Sequence, residues 1–153
     1  MEKIKNSINF INQTEVFDFN LINKSKISKW IEKIIMQNNK EIGEINYVFL
    51  SDNDLLNYNK KYLNHNDLTD VITFNYCKKN IISGEILISI ERVKENSKIY
   101  NNNQSFKREL NRVIIHGILH LLGFNDKTKE ERIIMRKKEN KCLEDLKDCK
   151  TVD

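Results

Sequence analysis

The amino-acid sequence predicts an α/β (α+β) domain in which a small mixed sheet of about four strands packs with about five helices. Three observations carry that expectation. Apolar residues change period along the chain in the order strand, helix, strand, helix, strand, strand, helix, helix, helix. Two of the strand-like runs are separated only by a short polar turn, which predicts an antiparallel hairpin. One helical run, from Phe106, carries an apolar stripe at Leu110, Val113, Ile114, Gly117, Ile118 and Leu121 that implies a largely buried helix, and it is placed at the centre of the fold. With 153 residues, 39% of them hydrophobic, the chain suits one domain, 1–153, with a single core.

The elements follow in order. Ile8 to Asn12 is a strand candidate. Ile27, Trp30, Ile31, Ile34 and Ile35 recur at helical spacing, so a helix is expected from about residue 26 to 38. Ile45 to Leu50 follows Gly43 and is rich in β-branched and aromatic residues, which favours a strand. Ser51 then opens a helix as its N-cap, with Leu55, Tyr58 and Tyr62 along one face. A polar loop, Leu63 to Asp70, leads into the hairpin of Val71–Tyr76 and Gly84–Ser89, turned at Lys78 to Asn80. A charged helix from Ile90 to Tyr100 ends at the polar stretch Asn101 to Ser105. The central helix starts at Phe106. A last helix, Lys129 to Leu146, opens with a capping box at Thr128 and Glu131 and is followed by a frayed tail.

The 26 basic and 22 acidic residues give a net charge of +4, which favours an anionic partner only where the charge is clustered. The lysine-rich run Arg136-Lys137-Lys138 reads as a solvated helix face. No stretch is long and apolar enough to span a membrane, and Met1 to Asn6 lacks the apolar core of a secretory signal, so the expected compartment is the cytoplasm. Cys77, Cys142 and Cys149 follow no metal-ligand spacing and are expected as free thiols.

Function concentrates in His116-Gly117-Ile118-Leu119-His120-Leu121-Leu122-Gly123-Phe124-Asn125-Asp126. Histidines four apart on a helix share a face, so both imidazoles can close on one ion. Gly123 stands where a helix commonly stops at a left-handed residue, and the reversal can carry Asp126 back over the pair as a third ligand. Two imidazoles, a carboxylate and an open fourth position suit a catalytic zinc site, with one Zn2+ per chain. Asn125 is the neighbour expected to support the ligands from behind. Gly117 occupies the position where a zinc peptidase carries its general-base glutamate, so the metal itself or a group from elsewhere must activate water.

This stretch, preceded by Leu68-Thr69-Asp70-Val71-Ile72-Thr73-Phe74 and Gly84-Glu85-Ile86-Leu87-Ile88-Ser89, resembles the YbeY family of endoribonucleases and ribosomal RNA maturation factors. The three motifs fall in the same order over roughly residues 45 to 140. The resemblance implies a zinc-dependent hydrolase of single-stranded RNA that acts in 16S ribosomal RNA 3′-end maturation and ribosome quality control, with the small ribosomal subunit as partner. Two positions depart from the family pattern. Asp126 stands where the third histidine is usual, and Leu63 where an arginine thought to engage phosphate is usual. Lys60, Lys61 and His65 are the nearby residues that could replace that positive charge. Asp70 and Glu85 are the candidates for a general base.

Two rival readings remain at this level. A metallopeptidase would need a glutamate brought over the metal from another strand. A ribosome assembly factor with a structural metal and little nuclease activity would fit the loss of the arginine and the altered ligand.

Overall fold

A computed structural model describes residues 7–14, 22–65, 68–100 and 106–148. The expected polar stretch Asn101 to Ser105, Cys149 and most of the expected tail lie outside the described residues, as do Met1 to Asn6 and the loop residues Asn66 and Asp67. The elements are β1 (Ser7–Asn12), α1 (Lys24–Gln37), β2 (Glu41–Leu50), α2 (Asp52–Leu63), β3 (Val71–Asn75), β4 (Ile81–Ser89), α3 (Ile90–Tyr100), α4 (Phe106–Leu121) and α5 (Lys129–Asp148). Order and type match the sequence expectation.

Local chemistry explains most boundaries. The side chain of Asn23 accepts from Lys26 N and starts α1, and that of Ser51 accepts from Asp54 N and starts α2. At α5, Thr128 and Glu131 form a reciprocal capping box, with Thr128 N to Glu131 Oε1 at 2.9 Å and Glu131 N to Thr128 Oγ1 at 3.1 Å. Two strands start earlier than expected, at Glu41 and Ile81, so Gly43 and Gly84 lie inside strands. The sequence expectation puts Gly43 just before its strand and Gly84 as the first residue of the next, but parallel pairing of β2 with β4 extends N-terminal to both, with a register shift between Ile42 and Ile45. In the other direction, α5 runs two residues beyond the expected end, to Asp148.

The sheet order is β1-β2-β4-β3. β1 and β2 are parallel, β2 and β4 are parallel, and β3 pairs antiparallel to β4, which makes the sheet mixed and confirms the hairpin. Parallel neighbours require crossovers, and α1 and α2 lie in the connections that supply them. Because side chains alternate across a strand, Ile45, Tyr47 and Phe49 of β2 share one face with Ile86 and Ile88 of β4. These residues join α1, α4 and α5 in the main core. The opposite face is covered at one end by α2, where Leu50, Ile72 and Leu87 enclose Leu55.

Helix α4 lies across the main-core face. The Tyr47 hydroxyl donates to the Ile114 carbonyl at 2.9 Å, and Gly117 sits so close to the sheet that a Cβ there would meet three Ile86 atoms at 2.8 to 3.1 Å. Trp30 of α1 donates its indole N–H to the Cys142 carbonyl of α5 at 2.8 Å, closing the helical layer behind α4. Cys77 and Cys142 are free thiols, and burial pushes the Cys142 thiol up to about 11.

Candidate metal centre

The central helix presents His116 and His120 at the margin of its buried stripe, with rings 4.5 Å apart at 81°. Its end is built for a reversal. Phe124 N donates to the Leu119 carbonyl and Gly123 N to the His120 carbonyl, both at 3.0 Å, with Gly123 at φ +102°. This pair of bonds is the Schellman ending of a helix, which requires a residue that adopts positive φ cheaply. Three residues later, Asp126 has turned back over the helix.

The His116 and His120 Nε2 atoms are 2.9 Å apart, and Asp126 Oδ2 is 3.3 Å from the first and 3.2 Å from the second. Zinc bonds of about 2.0 to 2.1 Å in tetrahedral geometry place donor atoms about 3.3 Å apart. The triangle therefore has the dimensions of three vertices of a zinc tetrahedron, and its donor chemistry fits that ion. The triad His116, His120 and Asp126 is the group among the described residues whose side chains converge in this way.

Behind the triangle stands a residue that sequence reading missed. Glu139 Oε2 lies 2.7 Å from His116 Nδ1, while its Oε1 is 3.1 Å from Arg112 Nη1. Arg112 in turn lies 3.9 Å from Glu109, and all three charged residues of this relay are buried. An acceptor on Nδ1 fixes the ring and leaves Nε2 free to ligate. Spacing along α4 places Glu109, Arg112 and His116 on one side of that helix, but nothing in the sequence joins Glu139 of α5 to them. Asn125, the expected supporting residue, is exposed and interacts with Glu131 of the cap instead.

The electrostatics follow from these contacts. Burial opposes charge on His116, but the hydrogen bond and charge of Glu139, with Asp126 and Asp70, outweigh it and raise its pKa. For His120, burial and the charge of His116 prevail over Asp126 and lower it. The pair is thus polarised, with His116 the ring that favours positive charge.

A groove of about 620 Å³ opens beside the triangle, walled by β3, the segment leading into it and the end of α2. β3 is an edge strand, so no strand among the described residues covers its outer side. Of the residues expected to contact substrate, His65 lines this groove, held by its N–H on the Asn59 carbonyl at 3.2 Å after the left-handed Asn64. Lys60 and Lys61 do not line it; both are exposed on the last turn of α2. Asn59, which is buried, and Leu63 are groove residues as well. Asn59 escaped notice because a single polar residue within a helix carries no spacing signal.

The two candidate bases separate cleanly. Asp70 lines the groove next to His116, and burial raises its pKa against the opposing effects of His116 and Asn96. Glu85 pairs with Phe74 and Asn46 and alternates with Gly84 and Ile86, so it projects from the sheet face opposite α4. It is not at the centre. Nor does any sheet glutamate line the groove, the feature a metallopeptidase reading would need.

Residues 9–147 match the family described as Endoribonuclease YbeY. The chain belongs to the YbeY family. Curated YbeY endoribonucleases are similar over most of its length: 47% identity over 86% of this chain and 93% of the protein from Bacteroides fragilis, and 46% over 84% and 91% of that from Azobacteroides pseudotrichonymphae. The solution structure of TM1509 from Thermotoga maritima shares the YbeY-like fold, with a TM-score of 0.64 and 28% identity, covering 92% of this chain and 89% of that one. No helix among the described residues is long and apolar enough to cross a membrane.

Proposed function

We propose that this chain is a single-domain, zinc-dependent endoribonuclease of the YbeY family that cuts single-stranded RNA, acting in the cytoplasm on the 3′ end of 16S ribosomal RNA and in ribosome quality control. Its enzyme class, a metal-dependent endoribonuclease, follows from family membership. The observation that supports a metal-dependent site is the triangle of His116, His120 and Asp126 beside an open groove, while the RNA substrate and the ribosomal role are what family membership implies. One zinc held there would supply Lewis acidity, lowering the pKa of a water and polarising a phosphoryl oxygen.

The chain's own residues account for the remaining tasks. Glu139 and Arg112 hold the His116 ring with Nε2 toward the centre. Asp70 is the base candidate that lies at the groove and can accept a proton from the attacking water. His65 offers hydrogen bonds to the RNA backbone, and Leu63 and Leu68 give an apolar wall against which an unstacked base can rest. Lys60 and Lys61 remain as peripheral charge that draws the strand in.

The test pairs two readouts on one preparation. Zinc content and cleavage of a single-stranded RNA are measured on wild type and on His120→Ala purified in parallel. About one zinc per chain and cleavage in wild type, with both lost in a folded variant, is the expected result. Equal cleavage by both preparations would sink the reading.

A further inference from the structure

The metal triangle has a cavity on two sides. The groove described above lies toward α2 and β3; a second cavity, of about 320 Å³, lies between β3, α4 and α5. Both include Asp70, Val71, His116 and Asp126 in their walls. The two cavities therefore meet at these residues, on either side of the triangle.

Three arginines line the second cavity, and they are not equivalent. Arg112 is buried and committed to Glu139 and Glu109. Arg132 and Arg136 are exposed. Arg132 donates one N–H, from Nη1, to the Lys127 carbonyl at 2.8 Å, which orients the guanidinium without neutralising it. Arg136 Nη1 stands 3.7 Å from Glu139 Oε1, a carboxylate already engaged by Arg112 and His116. On a helix, positions 132, 136 and 139 share one stripe, while 137 and 138 lie off it. Lys138 instead stands over the Phe124 ring at 4.4 Å. The basic run of α5 is thus divided, with its arginine facing the centre and Lys138 facing away.

We propose that Arg132 and Arg136 grip backbone phosphate of single-stranded RNA on the α5 side of the metal centre. This rests on the reading of the chain as an RNA hydrolase. Two guanidinium forks one helical turn apart match the bidentate geometry of phosphate oxygens, which a lysine cannot reproduce. They also supply, from the opposite wall, the charge that Leu63 does not provide on α2.

The test uses the full chain loaded with zinc and a phosphorothioate single-stranded RNA. Anisotropy gives Kd as a function of salt, and cleavage of the unmodified RNA gives kcat and KM. Arg132→Ala/Arg136→Ala is expected to raise Kd and KM about tenfold, with kcat retained and the slope of log K against log salt reduced by about 0.7 to 1.4. Lys137→Ala/Lys138→Ala should stay within about twofold of wild type. Arginine-to-lysine replacement at 132 and 136 should fall between. If wild type cuts RNA and the double alanine variant keeps its Kd and salt slope, the arginine assignment fails while the hydrolase reading stands. Loss of zinc together with affinity would also overturn it, by showing that the arginines support the metal loop. A wild type that neither binds nor cuts removes both readings. Should the double variant misfold, each single alanine variant carries the same comparison.

Discussion

Glu139 Oε2 accepts a hydrogen bond of 2.7 Å from His116 Nδ1, across the interface of α4 and α5. Its other oxygen is held by Arg112, so one buried carboxylate orients a candidate metal ligand and pairs with an internal cation. Glu139→Gln keeps the shape but weakens the acceptor. Zinc affinity measured by chelator competition is expected to fall about 10 to 100-fold. Glu139→Ala leaves buried Arg112 with only the 3.9 Å contact to Glu109 and should cost about 3 to 5 kcal/mol in denaturant unfolding. Unchanged zinc affinity in the glutamine variant would show that the contact does not tune the site.

Asp126 is a ligand candidate on a loop, with its side chain 38% exposed. Asp126→Ala should weaken zinc binding at least tenfold, while the metal-free protein unfolds within about 0.5 kcal/mol of wild type. Asp126→His should retain zinc. Global unfolding of the alanine variant, seen by circular dichroism, would instead support the structural-metal reading of an assembly factor.

Gly117 explains the missing peptidase glutamate in steric terms. Any side chain at this position runs into Ile86 on the sheet. Gly117→Ala is expected to destabilise the protein by about 1 to 3 kcal/mol through overpacking, and a companion Ile86→Val should recover part of that loss. A thermal melt of the two variants decides it; a Gly117→Ala protein as stable as wild type would contradict the packing account.

Asp70 is a carboxyl group whose pKa burial raises in the folded chain. Its folded-state value lies above the unfolded one of about 3.9, so its contribution to stability is fully present below that pH and is lost as pH rises through the folded-state value. At neutral pH the ionised, desolvated group is a net cost. Metal-free Asp70→Asn should therefore melt higher than metal-free wild type at pH 7, and the difference should shrink toward about pH 4. A gap of equal size at both pH values would mean that ionisation is not its source.

The nine elements were legible because each carries a local signal: isoleucines at helical spacing in α1, alternation in β3 and β4, and the Thr128 and Glu131 cap of α5. The spacing of the histidines likewise announced the triangle, because one helical turn sets their distance. What stayed hidden depends on distant pairing. Glu139 is 23 positions from His116, and only the packing of α5 on α4 brings them together. Glu85 was a candidate base because it lies in one of the three motifs that carry the family resemblance, yet alternation along β4 sends it to the other side of the sheet. Lys60 and Lys61 sit beside His65 in the chain, but the turn at Asn64 directs only His65 into the groove.

The chain order of the centre has a consequence for biosynthesis. The four strands of the described residues end by Ser89, whereas His116, His120, Asp126 and Glu139 follow them. Synthesis proceeds from the N-terminus, and structure accumulates in that direction. A nascent chain, or one cut short by a stalled ribosome, can carry every strand of the described sheet and none of the candidate ligands. For a nuclease surrounded by RNA while it is being made, the candidate metal centre is assembled last.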